Sequence, residues 1–507
     1  MIRKILRSRF FLGAVLILIQ FVLIMAFFIW VSDVIWPLEV LTWGFYAVTL
    51  LYVINRDEIP EMKRPWLIIM MVLPFVGAFL FLLLSNNKAS RKEYQRFEKS
   101  ARKIANHLNQ TENIDKLKEL DKDAYMQAKF LYSASRMPVF DKSKTTYYEI
   151  GEKFFEGLLA ELESARHYIF MEYFIVQEGV MWDAIHDVLV RKIREGVDIY
   201  MMYDDFGCIA TLPDNYYKKL NEEGIHCVPC NKFKPILSHI HNNRDHRKIT
   251  VIDGRVAFTG GINLADEYIN AYVKHGHWKD TAVKIEGEAV KNLVALFISL
   301  WNMQDVKPLD CDKYLLPING GDNGLGYVIP FGDSPSPIDT EDVGKTVYMN
   351  ILNCAKDYVY ICTPYLICDR ELINAMCIAA RKGVDVRLIT PHIPDKKAVF
   401  TMTRSNYSKL IDAGVRVFEY TPGFIHAKSF VCDDKIAVCG TINLDYRSLV
   451  HHFECGAWMY NTESIVDMKN DFINTLEVSQ EVSKREARFT FFNRVFAELM
   501  KVFSPLL

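Results

Sequence analysis

The 507-residue sequence predicts an α/β protein: two pseudo-symmetric halves, each with a mixed β-sheet, preceded by an N-terminal transmembrane helical module. Three observations predict it. From about residue 136 onward, apolar runs of strand length alternate with helical patterns, as in sheets covered by helices. A motif around His246 returns around His426, 180 positions later. The first 84 residues are far more apolar than the rest. Composition agrees: 50% of residues are hydrophobic and 24% are charged, so the chain is not a disordered one. A net charge of −2 gives no polybasic signature for nucleic acid. Eleven cysteines without framework spacing argue against a disulfide-stapled fold.

The first module spans 1–86 and holds three apolar segments. Residues 10–31 carry Gln20 as their only strongly polar side chain, enough helix to cross a hydrocarbon core of about 30 Å. The run ends in Phe27, Phe28, Ile29 and Trp30 rather than the small residues of a cleavage site, which favours a retained anchor. Residues 34–54 include Pro37 and Glu39; residues 66–84 carry Pro74 and Gly77. Arg3, Lys4, Arg7 and Arg9 place the N-terminus in the cytoplasm. Arg56, Lys63 and Arg64 suit a cytoplasmic loop, yet Lys88, Arg91, Lys92 and Arg96 after the third segment ask for the same side. Either the third segment is re-entrant, bent at Pro74 and Gly77, or the second does not cross, or the charge rule fails; a cytoplasmic C-terminal body is expected. Residues 87–135, rich in Lys, Glu, Gln and Asn, read as a polar helical connector.

Two domains follow, 136–315 and 316–507. His246, Lys248, Asp253, Gly260 and Asn263 recur in register as His426, Lys428, Asp433, Gly440 and Asn443. A lone His-x-Lys is most often a solvated strand, but two complete copies at one offset reverse that reading. Upstream, residues 194–202 resemble 381–389, each a helix end, a Gly stop and a buried strand. The first half carries ten extra residues, because Gly224 to His246 is 22 positions and Gly414 to His426 is 12. That insertion, around Phe233, Lys234, Pro235, Ile236 and Leu237, is apolar and basic; it either touches lipid or packs as an ordinary loop.

The paired motifs suit displacement at a phosphodiester. Residues two apart on an extended strand face one side, so His246 projects with Lys248 and His426 with Lys428. Hairpins turning at Asp253-Gly254 and Asp433-Asp434 bring Asn263 and Asn443 back toward them. One imidazole attacks phosphorus and the other protonates the leaving alkoxide. Two ammonium groups and two amides stabilise the equatorial oxygens without metal. A nucleophilic imidazole needs its other nitrogen held by an acceptor; Glu454 is the expected partner of His426, and Asp280 of His246. Asp253 and Asp433 complete the candidate catalytic set, as turn scaffolds more than as direct reactants.

These motifs resemble the phospholipase D superfamily with its HKD signatures, and within it the bacterial cardiolipin synthases. Supporting residues are Asn263 to Tyr268, Trp278 to Thr281, Thr363-Pro-Tyr365, Asn443 to Ser448 and the ending 503–507. The resemblance covers roughly 36–507. It departs at Gly261, where the family often has Ser or Thr; Thr441 fills that place in the second half. It implies that two phosphatidylglycerols give cardiolipin and glycerol in a bacterial plasma membrane, with no cofactor. His246 would be the phosphatidylated nucleophile and His426 the acid and base. Sequence symmetry alone leaves open which imidazole attacks.

Weaker signals stand aside. Cys227 and Cys230 have metal-site spacing but no second pair. His239, His241, His275, His277, His451 and His452 cluster near the motifs without a metal being expected. Phe489, Phe492, Phe496, Leu499 and Phe503 fall at helical spacing beside Arg485, Arg488, Arg494 and Lys501. That stripe is expected to pack onto the core, an interfacial helix being the alternative. Rival functions are a membrane phospholipase D that hydrolyses its intermediate, a superfamily nuclease, and a non-catalytic membrane scaffold.

Overall fold

The computed structural model describes residues 9–34, 36–85, 91–109, 112–232, 243–316, 324–336, 338–339 and 341–506, with side chains left undescribed at 9–13, 27–39, 91 and 506. The insertion at 233–237, together with His239 and His241, lies outside them.

At the N-terminus, α1 (Arg9–Val34) and α2 (Trp36–Asn55) precede α3 (Pro60–Val72) and α4 (Pro74–Leu84). Among the described residues, which have their side chains placed over 14–26 in α1 and 40–55 in α2, no helix is long and apolar enough to cross a membrane. The third apolar segment is not one helix. Pro74 has no backbone N–H to continue the ladder, and the chain breaks at Leu73 (φ −130°, ψ 75°). α4 then folds back on α3, the ring of Trp66 meeting that of Phe81 edge-on at 5.5 Å. Gly77 permits this approach, since a Cβ there would lie 2.8 Å from the Met70 Cα. Arg56, just beyond α2, donates to Ser85 Oγ and O at 3.1 and 3.2 Å, so α4 ends where α2 ends. The connector forms α5 (Arg91–Ala105), α6 (Asn113–Leu120) and α7 (Lys122–Ser135). Rather than lying apart, α5 docks on the body, with Arg96 on Asp305 at 2.6 Å.

Strands of the first half are β1 (Phe140–Asp141), β2 (Lys144–Tyr148), β3 (Tyr168–Tyr173), β4 (Asp198–Asp204), β5 (His226–Cys230), β6 (Ile249–Ile252), β7 (Val256–Gly260), β8 (His277–Lys279) and β9 (Ala282–Glu286). The second half supplies β10 (Tyr327–Asp333), β11 (Tyr358–Cys362), β12 (Leu366–Ile367), β13 (Asp385–Pro391), β14 (Arg416–Tyr420), β15 (Gly423–Ile425), β16 (Ser429–Cys432), β17 (Ile436–Gly440), β18 (Leu444–Asp445), β19 (Glu454–Tyr460) and β20 (Ser479–Glu481). One sheet runs β2-β9-β7-β6-β3-β4-β5, the other β1-β10-β19-β17-β16-β11-β13-β14-β20. Both are mixed: β3-β4-β5 and β11-β13-β14 are parallel and their hairpin sides antiparallel. The two orders superimpose strand for strand from β2/β10 to β5/β14. β1 departs from the halves read in the sequence, pairing with β10 in the second sheet. Between the sheets lies α8 (Val290–Met303), buried on nearly every side, as an all-round apolar helix must be.

Candidate active site

Each motif histidine lies just ahead of a hairpin, β6–β7 or β16–β17, closed at the predicted turns. Asp253 and Asp433 hold those turns from the left-handed region, φ 53° and 52°. Each carboxylate accepts three backbone N–H groups ahead of the neighbouring strand: Arg166, His167 and Tyr168 at 2.7–2.9 Å for Asp253, and Lys356, Asp357 and Tyr358 at 2.7–2.9 Å for Asp433. Both therefore leave the reacting set: their oxygens are committed to backbone at the hairpin turn, a strand length from the histidines.

The histidines are held across the two halves, not within them. His246 Nδ1 lies 2.9 and 3.0 Å from the oxygens of Glu454, and His426 Nδ1 lies 2.6 Å from Asp280 Oδ2. This exchanges the partners expected from sequence. The cause is a pair of inter-half strand contacts. β15 runs parallel to β8, and His426 N–H donates to Lys279 O at 2.7 Å, which delivers Asp280. Likewise Asp245 bridges Phe453, and His246 N–H donates to Phe453 O at 2.9 Å, which delivers Glu454. A carboxylate on Nδ1 fixes the proton there and leaves the Nε2 lone pair for chemistry.

The electrostatics favour neutral imidazoles. Burial, then the charges of Lys248 and Lys428, hold His246 well below the usual imidazole range. Burial and Lys428 lower His426 to about 4, against the opposing pull of Asp280. Burial brings Lys248 down to about 8 and Lys428 to about 7, Lys428 being lowered further by Lys248. His246 and His426 thus each feel both lysines. Each lysine also donates to the carbonyl of its own histidine, Lys248 at 2.6 Å.

Asn263 and Asn443 differ. Asn263 accepts from Ile175 N–H at 3.0 Å and donates to Tyr268 OH at 2.7 Å, which leaves one amide proton for a phosphate. The Tyr268 ring lies 5.6 Å from that of His426. Asn443 has a buried side-chain oxygen without a partner.

Three features escaped the motif reading. Thr441 and Ser448 both donate their hydroxyls to Glu454; in the sequence Thr441 stands out only by the family resemblance, and no spacing rule singles out Ser448. Asp280 takes Thr281 N–H at 2.8 Å instead. Its Oδ1 sits where a side chain on residue 261 would be, 2.1 Å from the Cβ position of Gly261. Aromatic packing repeats across the halves: the His452 ring lies 5.5 Å from His246 and the Trp278 ring 5.5 Å from His426. Among the described residues, His246, His452 and Glu454 form one metal-capable group within 4.8 Å, but both Glu454 oxygens there already meet His246. Of the other sequence signals, Cys227 and Cys230 are buried free thiols on β5, and His277 bonds Tyr420 OH at 2.8 Å.

Known proteins share this architecture. The family described as "Cardiolipin synthase, PLD-like domain" matches residues 158–301 and 348–476, and "Phospholipase_D-nuclease N-terminal" matches 44–86. A cardiolipin synthase of Alkalihalophilus pseudofirmus is 33% identical over 88% of this chain and 89% of its own. One of Halalkalibacterium halodurans is 31% identical over 94% and 95%. An uncharacterized protein of Streptococcus mutans is 41% identical over 90% and 99%. The crystal structure of phosphatidylserine synthase from Haemophilus influenzae shares the fold at 14% identity, with a TM-score of 0.55 over 75% of this chain and 98% of that one. With its double H-x-K motif and two matching α/β halves, the chain belongs to the cardiolipin synthase family of phospholipase D-like proteins.

Proposed function

We propose that this protein is a phosphatidyltransferase that converts two phosphatidylglycerols into cardiolipin and glycerol. The observation that supports the reading is the crossed pair of histidine–carboxylate bonds, by which each half holds the other's imidazole beside a buried lysine. His246 Nε2 attacks the phosphorus of the first lipid. The N–P bond forms as the bond to the glycerol headgroup oxygen breaks, and His426 gives that oxygen its proton. An arriving phosphodiester anion favours the protonated form of His426, which burial and Lys428 otherwise disfavour. Lys248, Lys428 and the free amide proton of Asn263 face the charge that gathers on the equatorial oxygens, and Asn443 is assigned the same role. In the second step neutral His426 takes the proton of a terminal hydroxyl on another phosphatidylglycerol. That oxygen attacks phosphorus, the N–P bond breaks, and His246 returns to its starting state. Bond making and breaking balance, so no nucleotide or other cofactor is required.

The same reading places the protein in a bacterial plasma membrane through residues 1–86, with a connector at 87–135 and catalytic halves at 136–315 and 316–507. Two crossings by α1 and α2, followed by the re-entrant pair α3–α4, fit the charge pattern. The Arg56–Ser85 contact holds the end of α4 beside the Arg56–Arg64 loop, which fits an N-terminus and a catalytic body on one, cytoplasmic, face. Large apolar side chains open to the surroundings on α1 and α2, among them Leu18, Val22, Leu23, Leu41 and Val48, support it.

Purified full-length protein in detergent micelles, given phosphatidylglycerol alone, should yield cardiolipin and free glycerol in equal amounts. Phosphatidic acid with glycerol would replace transfer by hydrolysis, and absence of any product would overturn both. Protease digestion of spheroplasts should leave the catalytic body intact.

A further inference from the structure

The C-terminal helix α10, following α9 (Lys397–Arg404), runs Phe491–Phe503. It leaves open most of the aromatic stripe expected to pack on the core, Phe489 and Phe503 alone of that stripe being half-buried. Phe491 and Phe492 are 74% and 82% exposed, and Val495, Phe496 and Leu499 are exposed beside them. Arg485, Arg488 and Arg494 are exposed along the same segment. The opposite face is docked, against α9 and against α3 of the N-terminal module. Met500 joins Ile59, Ile367, Met402 and Tyr446 in one apolar cluster. The open phenylalanines therefore sit on a helix attached to the module whose own helices expose apolar side chains.

Beyond α10 the chain packs against the segment that precedes Glu454. Pro505 O lies 3.3 Å from His451 Nε2. His451 closes the π-helical turn Arg447–His451, and Ser448 of that turn donates to Glu454, the carboxylate that holds His246. A few contacts thus link the exposed helix to the nucleophile's partner.

We propose that α10 lies in the headgroup layer of an anionic phospholipid bilayer and, through Pro505–His451 and Met500–Tyr446, fixes the 447–452 segment and Glu454 in working geometry. Aromatic residues backed by arginines match such a layer, whose apolar boundary takes the rings and whose phosphates take the guanidinium groups. The site would then be fully assembled only at the surface that supplies its lipids, a consequence that rests on the proposed transfer reaction.

The helix position and its coupling are tested separately. The native cysteines are buried, or half-buried at Cys354, so a bimane label on Phe496→Cys reports α10 in full-length protein reconstituted into phosphatidylglycerol liposomes. Quenching by brominated acyl chains and shielding from aqueous iodide are expected; iodide quenching without an effect of bromolipid would overturn the interfacial position. For coupling, His451→Ala in the labelled protein should keep the bromolipid quenching yet lower cardiolipin formation about tenfold, and a labelled Phe491→Ser, Phe492→Ser, Leu499→Ser triple variant should lose both. Wild-type turnover in both variants would overturn the coupling. A wild-type protein that forms no cardiolipin would instead remove the reaction assignment, with the label still deciding where the helix lies.

Discussion

Asp253 shows how one residue of a signature can matter without meeting the substrate. Its carboxylate accepts three N–H groups that would otherwise be orphaned at the start of β3. Asp253→Asn should cost about 1–3 kcal/mol of stability, read from thermal unfolding, while turnover stays within a few-fold of wild type. His246→Asn should instead lower turnover by on the order of 10⁴ without a comparable loss of stability. Gly261 is the sharper case. The sequence marks it as a lost hydroxyl, but in the fold the Asp280 oxygen occupies that space and takes a backbone donor instead. Restoring the family residue with Gly261→Thr should therefore displace Asp280 and lower turnover at least about tenfold, by the logic that a misplaced orienting group loses near-attack geometry. A rise in turnover would show that the missing hydroxyl was a deficit after all.

At the scale of elements, the hairpins and the strand alternation were legible because each depends on residues near in sequence, while a bend at Pro74 was one of three openings the charge pattern left. β6–β7 and β16–β17 close at the turns that Asp253 and Asp433 announce, since turn chemistry is local. The partners of the histidines were not legible. Whether Glu454 meets His426 or His246 depends on which strands of opposite halves lie side by side, and β8–β15 and the Asp245–Phe453 bridge decide it. The same reasoning explains the C-terminal stripe: helical spacing identifies an apolar face but not what covers it. Because each carboxylate fixes the proton on Nδ1 of the opposite half's histidine, Glu454→Gln and Asp280→Asn should each lower turnover by on the order of 10³–10⁴. Glu454→Gln should slow formation of the phosphatidyl-histidine. Asp280→Asn should slow both its formation and its transfer to the second lipid, since His426 moves a proton in each, and rapid-quench trapping of the intermediate times the two steps separately.

For the molecule as a whole, burial of four imidazoles and two ammonium groups at the junction of the halves sets the pH response. His426 and His451 are lowered to about 4, His452 to about 3, and His246 well below its usual value. The unfolded chain protonates these groups near pH 6.5, so between about pH 6.5 and 4 they weigh against the folded state as pH falls, while the buried carboxylates of Asp204 and Asp339, raised to about 6 and about 7, oppose them by taking up protons in the folded state. Removing one of the imidazoles with His452→Asn should accordingly raise the unfolding temperature in detergent at pH 4 relative to pH 7, compared with the same difference in the wild type. Turnover has its limit on the other side. Lys428 and Lys248 lose their charge through about 7 and 8, so kcat/KM should decline as pH rises through that range, with no step near 6.5. By itself the sequence determined the two-half α/β plan, the identity of the paired histidines and lysines, and the apolar start of the chain, because register, turn chemistry and run length are written along one dimension. Only the tertiary structure decided that each half completes the other's histidine, that the third apolar segment folds back, and that the final helix faces outward. Those outcomes depend on which surfaces meet, and a linear pattern carries no record of that until the chain has closed on itself.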